Sequence, residues 1–383
     1  MKDGRKLKIA IVHDYLNQAG GAERVVGVLH RMFPDAPIYT TIVDRGKLLP
    51  ELRDAVIHTT FMQRIPGILK RFKMFFWLYP MAVRTMDVRG YDLILSSSSA
   101  YAKGVRKGRG SAHLCYCHTP MRFAWDFESY MEGVSIPKWA KAGAKLLTYP
   151  LRLWDRGNTR SVDILVANST VVQSRIKKLY GVSAPIIFPP VDVGRFEVAD
   201  AAPDDNFLIV SRLVSYKRID LAVEACTRLG RKLIVIGEGP DRKRLESLAG
   251  PSVSFLGRRS DEEVTAHMKR CKAFLFPGIE DFGITPLEAN ACGRPVIAYG
   301  EGGALDTVVP NVTGMFFLKQ SPEALMQTIQ SFEQRQWDSR LIRKHAESFR
   351  EDVFVRQLRE SISHLTGREM RDQASFIKME VGV

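Results

Sequence analysis

Gly278-Ile279-Glu280-Asp281-Phe282-Gly283-Ile284-Thr285-Pro286-Leu287-Glu288-Ala289 follows directly on the apolar run 273–277, and together they read as a strand, a glycine-containing turn and a helix. The helix is expected to start near Thr285, with Pro286 suited to a first helical position. Backbone amides at such a start have no intrahelical partner and attract phosphate or sugar oxygens. Glu280 lies on the loop before the helix and Glu288 within it, so the two carboxylates can face one ligand. A carboxylate accepting paired hydrogen bonds from vicinal hydroxyls suits a ribose or a hexose.

The same rhythm of short β-rich runs and longer helical segments extends outward in both directions, the pattern of parallel sheets covered by helices. Strands are expected over 7–13, 37–42, 92–97, 113–118 and 163–167, and again over 207–211, 232–237, 253–256, 273–277, 295–299 and 314–318. A stretch of prolines, small residues and acids from Pro189 to Asp205 separates the two sets. The length of 383 residues fits two domains. The fold class is therefore α/β, with two Rossmann-like, doubly wound domains over 1–190 and 191–353, followed by a helical tail over 354–383. Ligands of open α/β sheets bind at the carboxyl ends of the strands, so the expected site is the cleft between the two sheets.

Further candidates sit at expected strand ends. Arg212 and Lys217, in Val210-Ser211-Arg212-Leu213-Val214-Ser215-Tyr216-Lys217-Arg218, supply two cations that can neutralise a departing diphosphate. Gly237 ends a strand in Val235-Ile236-Gly237-Glu238-Gly239. The dinucleotide fingerprint fails there because Arg242 occupies the third glycine position. Near the N-terminus, Gly20 and Gly21 join the first strand to the first helix, where paired glycines let backbone approach a ligand closely. His118 closes the strand before Thr119-Pro120-Met121-Arg122, and Asp126 and Glu128 follow within reach of an acceptor. No Asp-x-Asp triplet occurs, which disfavours a metal-chelated diphosphate and leaves Arg212, Lys217 and helix-start amides to take that role.

The string E-D-F-G-I-T-P-L-E-A-N-A-C-G-R-P-V-I-A from Glu280, with seven residues between its first and second glutamates that matter here, Glu280 and Glu288, resembles the donor-binding segment of retaining GT-B glycosyltransferases of family 4. The resemblance implies that Glu280 contacts the transferred sugar and Glu288 the ribose, with Phe282, Gly283, Ile284 and Thr285 completing the donor segment and Gly237 lining the nucleotide pocket. It implies diphosphate binding by Arg212, Lys217 and the Gly20-Gly21 loop, a place for His118 beside the sugar, and acceptor contact at Asp126. Arg218 stands where the family pattern has glycine. The string H-T-P-M-R-F-A-W-D-F from His118 resembles a bacterial subgroup that uses GDP-mannose to build lipid-linked polysaccharide units. A retaining hexosyl transfer without metal or cofactor follows from the resemblance, as does a tail that crosses back onto the first domain. A UDP-sugar-dependent transferase and a nucleotide-sugar epimerase are the alternatives of the same fold, and a non-catalytic sugar binder is a third.

Charge is unevenly distributed. Residues 1–190 carry 29 Lys and Arg against 14 Asp and Glu, whereas the remainder carries 27 against 28. Over 61–110 ten basic residues face two acidic ones, interleaved with Phe72, Phe75, Phe76, Trp77 and Tyr79. Such a one-sided field favours an anionic surface, and the stretch 66–86 reads as an amphipathic helix resting on lipid. A nucleic-acid partner is not expected, since no recognised RNA or DNA motif accompanies the charge. The chain enters its first apolar strand without the run of about 7–15 apolar residues that a secretory signal needs, and no run approaches the ~18 of a membrane span. The expectation is a cytoplasmic protein, peripheral on the inner face of the cell membrane. Five scattered cysteines argue against a disulfide framework.

Overall fold

A computed structural model describes residues 6–130, 137–198 and 202–368. The first sheet contains β1 (Ile9–His13), β2 (Ile38–Thr40), β3 (Ile57–Thr59), β4 (Leu93–Ser98), β5 (Ala112–Cys117) and β6 (Ile164–Ala167), in the order 3-2-1-4-5-6. The second contains β7 (Asn206–Val210), β8 (Lys232–Ile236), β9 (Val253–Gly257), β10 (Ala273–Phe276), β11 (Val296–Tyr299) and β12 (Gly314–Phe317), in the order 12-11-10-7-8-9. Every pairing within the two sheets is parallel. Strand order reverses between β1 and β4 and between β7 and β10, so a ligand crevice opens at the carboxyl ends of those pairs.

Side chains alternate across each sheet with the two-residue period of a strand. Ile11, Leu93 and Leu95 enter one core with Val25 and Leu29, while Ala10, Val12 and Ile94 enter another with Tyr79, Ala82 and Val83. In the second sheet Leu208, Phe274 and Phe276 face one layer, and Phe207, Ile209 and Leu275 the other. The sequence pattern did not mark β3. It is a three-residue edge strand in which His58 and Thr59 are exposed, and so lacks the apolar run that betrays an inner strand.

The chain crosses between domains twice, side by side: the Val191 N–H bonds the Phe349 carbonyl at 2.9 Å. Phe188, Phe282 and Phe349 pack around the crossing with centroids 5.3–5.9 Å apart. The Glu351–Thr366 helix then buries Phe354, Leu358 and Ile362 in the first domain's core, and Arg31 bridges Glu351 at 2.6 Å. The crossing back is therefore complete by Glu351 rather than 354, and the tail from 369 to 383 lies outside the described residues.

Over 66–86 the expected single surface helix is instead three short ones, Ile68–Arg71, Phe72–Phe75 and Tyr79–Arg84. The rings explain the breaks, because several of them turn inward. Tyr15 and Phe72 meet at 5.0 Å, Tyr79 stacks on Tyr101 at 4.6 Å, and Phe76 packs on Phe123 at 4.4 Å. Among the large apolar residues of the stretch, Met74, Trp77 and Met81 stay exposed. Among the described residues no helix is long and apolar enough to cross a membrane. The five cysteines are free and buried, and burial pushes the Cys115 thiol up to about 11.

Candidate active site

On the first sheet, the reversal between β1 and β4 delivers a buried polar chain. His118 Nε2 lies 2.7 Å from Ser97 Oγ, and His13 Nδ1 lies 3.2 Å from the same hydroxyl and 3.0 Å from the Ser97 carbonyl. His13 Nε2 faces Glu23 Oε1 at 3.6 Å. Glu23 is fixed from its other side, accepting the Gly20 N–H at 2.9 Å and the Gln18 amide at 3.1 Å. Burial opposes ionisation of both His13 and Glu23, but their mutual hydrogen bond and charge win, raising His13 and lowering Glu23. His118 goes the other way, pushed down to about 3 by burial and then by the His13 charge. The Ser97 carbonyl can only accept, so His13 Nδ1 carries a hydrogen and cannot take the Ser97 hydroxyl proton, which is left for His118 Nε2. His118 is then neutral, with its N–H on Nδ1. Asp14, next in the chain, accepts four backbone N–H groups from Ser99 to Ala102 at 2.6–3.0 Å and fixes the turn that follows β4.

On the second sheet, β7 runs into Arg212, whose guanidinium donates to the Tyr216 hydroxyl at 3.2 Å. Lys217 forms an ion pair with Glu280 and lies 5.5 Å from the Tyr216 ring centroid. Arg218 adopts φ 50° and ψ 38°, a left-handed conformation that glycine takes freely. It is held there by Asp220 at 3.3 Å and Gln320 at 3.2 Å. This accounts for the glycine of the family pattern and shows that its loss leaves the turn intact. At Gly237 the backbone leaves no choice of residue: φ is 137°, and a Cβ would sit 1.8 Å from the Ser211 carbonyl oxygen.

The two halves meet across the cleft. Arg24, on the Gly21–Met32 helix, donates to Glu288 Oε1 at 2.9 Å, and Arg195 approaches the same oxygen at 3.6 Å. Arg175 pairs with Asp281, and Asp306 accepts the Thr170 N–H at 2.9 Å. Arg122 lies 5.9 Å above the Tyr216 ring. The helix carrying Glu288 spans Ile284–Ala291, one residue earlier than expected, with Gly283 as its N-cap at φ 97°. Ile284 packs so closely under the Gly20-Gly21 turn that a Cβ on Gly21 would meet its Cδ1 at 2.9 Å. Partial desolvation, and then the charge of Arg212, lowers the pKa of Lys73, so this cation of the first domain is within electrostatic reach of Arg212 in the second.

His118, Arg212, Lys217, Glu280, Gly20, Gly21, Gly237, Gly283, Ile284 and Thr285 thus belong to strand ends, the loops after them or helix starts, and Glu288 to the middle of the Ile284–Ala291 helix, all bordering one cleft. Phe282 does not present its ring there; it is buried against Phe188 and Phe349 at the domain crossing. Asp126 is exposed at the end of the short Arg122–Trp125 helix, and Glu128 is engaged by Lys141 at 3.0 Å and Lys145 at 2.7 Å. Sequence reading missed His13, Glu23, Arg24 and Lys73. Glu23 had a signal, standing three residues after the helix cap, where a carboxylate reaches back to the cap amide. His13 ends a strand as His118 does.

Residues 19–195 match the model described as Glycosyltransferase Family 4, and residues 195–351 match Glycosyl transferases group 1. The chain belongs to the GT-B glycosyltransferases. Among relatives in this family, the GDP-mannose-dependent alpha-(1-6)-phosphatidylinositol monomannoside mannosyltransferase of Mycobacterium tuberculosis is 31% identical over 184 residues, 40% of this chain and 48% of that protein. Alpha-1,3/1,6-mannosyltransferase ALG2 of Dictyostelium discoideum is 22% identical over 377 residues, 82% of this chain and 87% of that one. The chain spans about half the length of the curated relatives that it matches at 27–31% identity. Of solved GT-B structures, Anabaena HepE in complex with UDP superposes with a TM-score of 0.73 at 18% identity, covering 94% of this chain and all of the other, a likeness of fold.

Proposed function

We propose that this GT-B chain transfers mannose from GDP-mannose, with retention of anomeric configuration and without a metal ion, to a lipid-linked saccharide in polysaccharide assembly at the inner face of the cell membrane. The observation that carries the reading is the convergence of Glu280, Glu288, Arg212 and Lys217 at the strand ends of one sheet, opposite a neutral His118 on the other. Mannosyl transfer draws support from the mannosyltransferases among its relatives.

Both guanidinium contacts to Glu288 go to Oε1, so Oε2 is the atom for a ribose hydroxyl. An incoming diphosphate takes Arg212 and Lys217, and releases Glu280 from Lys217 to accept hexose hydroxyls. His118 donates from Nδ1 to another hydroxyl of the hexose and positions it; being neutral and so reluctant to gain a proton, it does not act as the base. As the bond from the anomeric carbon to the phosphate oxygen breaks, that oxygen takes the proton of the acceptor hydroxyl. The acceptor oxygen bonds the anomeric carbon on the same face, leaving a nucleoside diphosphate and the extended glycan. The Arg212 and Lys217 charges stabilise the departing diphosphate.

Calorimetry with GDP-, UDP-, ADP- and dTDP-sugars in EDTA tests donor and metal independence together, and NMR of the glycoside formed reads the configuration. Selective GDP-mannose binding in EDTA and an axial product linkage are expected. Selective binding of a UDP-sugar, the donor type in the Anabaena complexes, would replace the donor while keeping the site, and an inverted product would overturn the mechanism.

A further inference from the structure

We propose that the Lys138–Thr159 helix lies along an anionic lipid bilayer and is the chief apolar anchor of the first domain, an inference that rests on the membrane part of the function proposed above. The helix is 22 residues long, with an inner face formed by Thr148, Leu151, Asp155 and Thr159, all buried. Asp155 fastens it, accepting from Trp125 Nε1 at 2.7 Å and the Tyr180 hydroxyl at 2.6 Å, and pairing with the buried Lys103.

The opposite face is the apolar one, and it is open. Trp139, Leu146, Tyr149 and Leu153 are 79%, 76%, 66% and 61% exposed. At 3.6 residues per turn they fall within about a quarter-turn of one another, directly away from the buried face. Lys145 and Arg156, both exposed, run along one edge of this stripe. Asp155, the helix's one carboxylate, is on the inner face, while Glu128 from outside the helix shares a single negative charge between Lys141 and Lys145. An apolar stripe whose edge carries Lys141, Lys145 and Arg156 against the single carboxylate of Glu128 keeps a net positive charge and complements an anionic interface, where Leu and Trp insert and Lys and Arg meet headgroups. Large exposed stripes of this kind are not left open on ordinary soluble surfaces.

Position supports the same occupant. Trp154 of this helix lies 6.1 Å from Tyr101, which stacks on Tyr79 of the basic aromatic stretch. The exposed Met74 and Trp77 therefore belong to the same layer of the domain. Arg152 donates to the Ala124 carbonyl at 2.6 Å, tying the helix to the short Arg122–Trp125 segment, and Arg122 reaches Tyr216 at the cleft. A bilayer held on this face lies beside the cleft, where a lipid-linked acceptor has to enter.

The test is flotation of the full chain with phosphatidylcholine vesicles, with and without phosphatidylglycerol, comparing the wild type with Leu146→Gln/Leu153→Gln and with Leu318→Gln, an equally exposed leucine of the second domain. Binding to the anionic vesicles is expected to fall about tenfold in the double variant and to stay unchanged in Leu318→Gln, with melting temperatures preserved because all three positions are exposed. Double-variant binding equal to wild type overturns the helix assignment alone. A wild-type chain that ignores anionic vesicles overturns both this inference and the membrane partner, and a dimer lost in the double variant would then identify a second copy as the true occupant. Calorimetric donor binding needs no membrane, so the sugar-transfer reading stands or falls separately.

Discussion

Replacing Glu288 by alanine removes the carboxylate assigned to the ribose and leaves Arg24 and Arg195 without their shared partner, 2.9 and 3.6 Å away. Hydrogen bonds to a charged group contribute about 1.5–3 kcal/mol each, and 1.4 kcal/mol is a factor of ten. Donor binding should therefore weaken by about 10- to 100-fold. Glu288→Gln keeps an acceptor oxygen and should lose less. Arg24→Ala separates the two uses of the carboxylate, since it breaks the contact between domains yet spares the ribose oxygen. Because both residues act through one group, the double variant should bind donor about as weakly as Glu288→Ala alone rather than showing an additive loss. The assay is calorimetric titration of GDP-mannose in EDTA, with thermal melts to verify folding. A folded Glu288→Ala protein that binds donor within about twofold of wild type would refute the assignment and leave Glu288 a purely interdomain contact.

Ser97→Ala removes the hydroxyl that fixes the His118 tautomer, and a loss of about 1 kcal/mol should appear as a roughly fivefold drop in kcat/KM with donor affinity preserved; an equal fall in affinity would argue against positioning. Burial holds His118 near 3 against an ordinary 6.5, so the unfolded chain binds the proton first and acidification should destabilise the fold progressively from about 6.5 downward. The raised pKa of His13 has the opposite sign, favouring the fold below 6.5 and fading as pH rises through the raised value. His118→Asn should accordingly flatten the acid limb of a plot of melting temperature against pH, and an unchanged limb would contradict the burial argument. Arg218→Ala keeps the left-handed strain and loses the Asp220 contact, whereas Arg218→Gly relieves it, so the glycine variant should be the more stable of the two by about 1 kcal/mol; denaturant melts giving the reverse order would refute this. Phe354→Ala should cost about 3–5 kcal/mol through a cavity in the first domain's core, and a calorimetric scan showing loss in the second domain alone would contradict the packing of the returning helix.

The sequence alone determined what neighbouring residues settle together. The strand, turn and helix around Glu280 and Glu288 form one contiguous signal, and of the twelve strands among the described residues eleven announce themselves by apolar runs flanked by turn residues. Arg212, Lys217 and His118 were legible because a doubly wound fold sends strand ends to the cleft. Tertiary structure decided whatever depends on distant residues meeting. Arg24 and Glu288 are 264 positions apart, and His13 and Ser97 are 84 apart; nothing local in the chain says that the members of either pair meet. Phe282 lies inside the most legible motif, yet its ring went to the domain crossing, because Phe188 and Phe349 arrive there from elsewhere. The basic aromatic stretch at 66–86 looked amphipathic, but inward packing claimed most of its rings. In the Lys138–Thr159 helix the apolar stripe of Trp139, Leu146, Tyr149 and Leu153 is the exposed face, whereas periodicity alone would bury it; the packing of Leu151 and Asp155 against the domain turned that stripe outward.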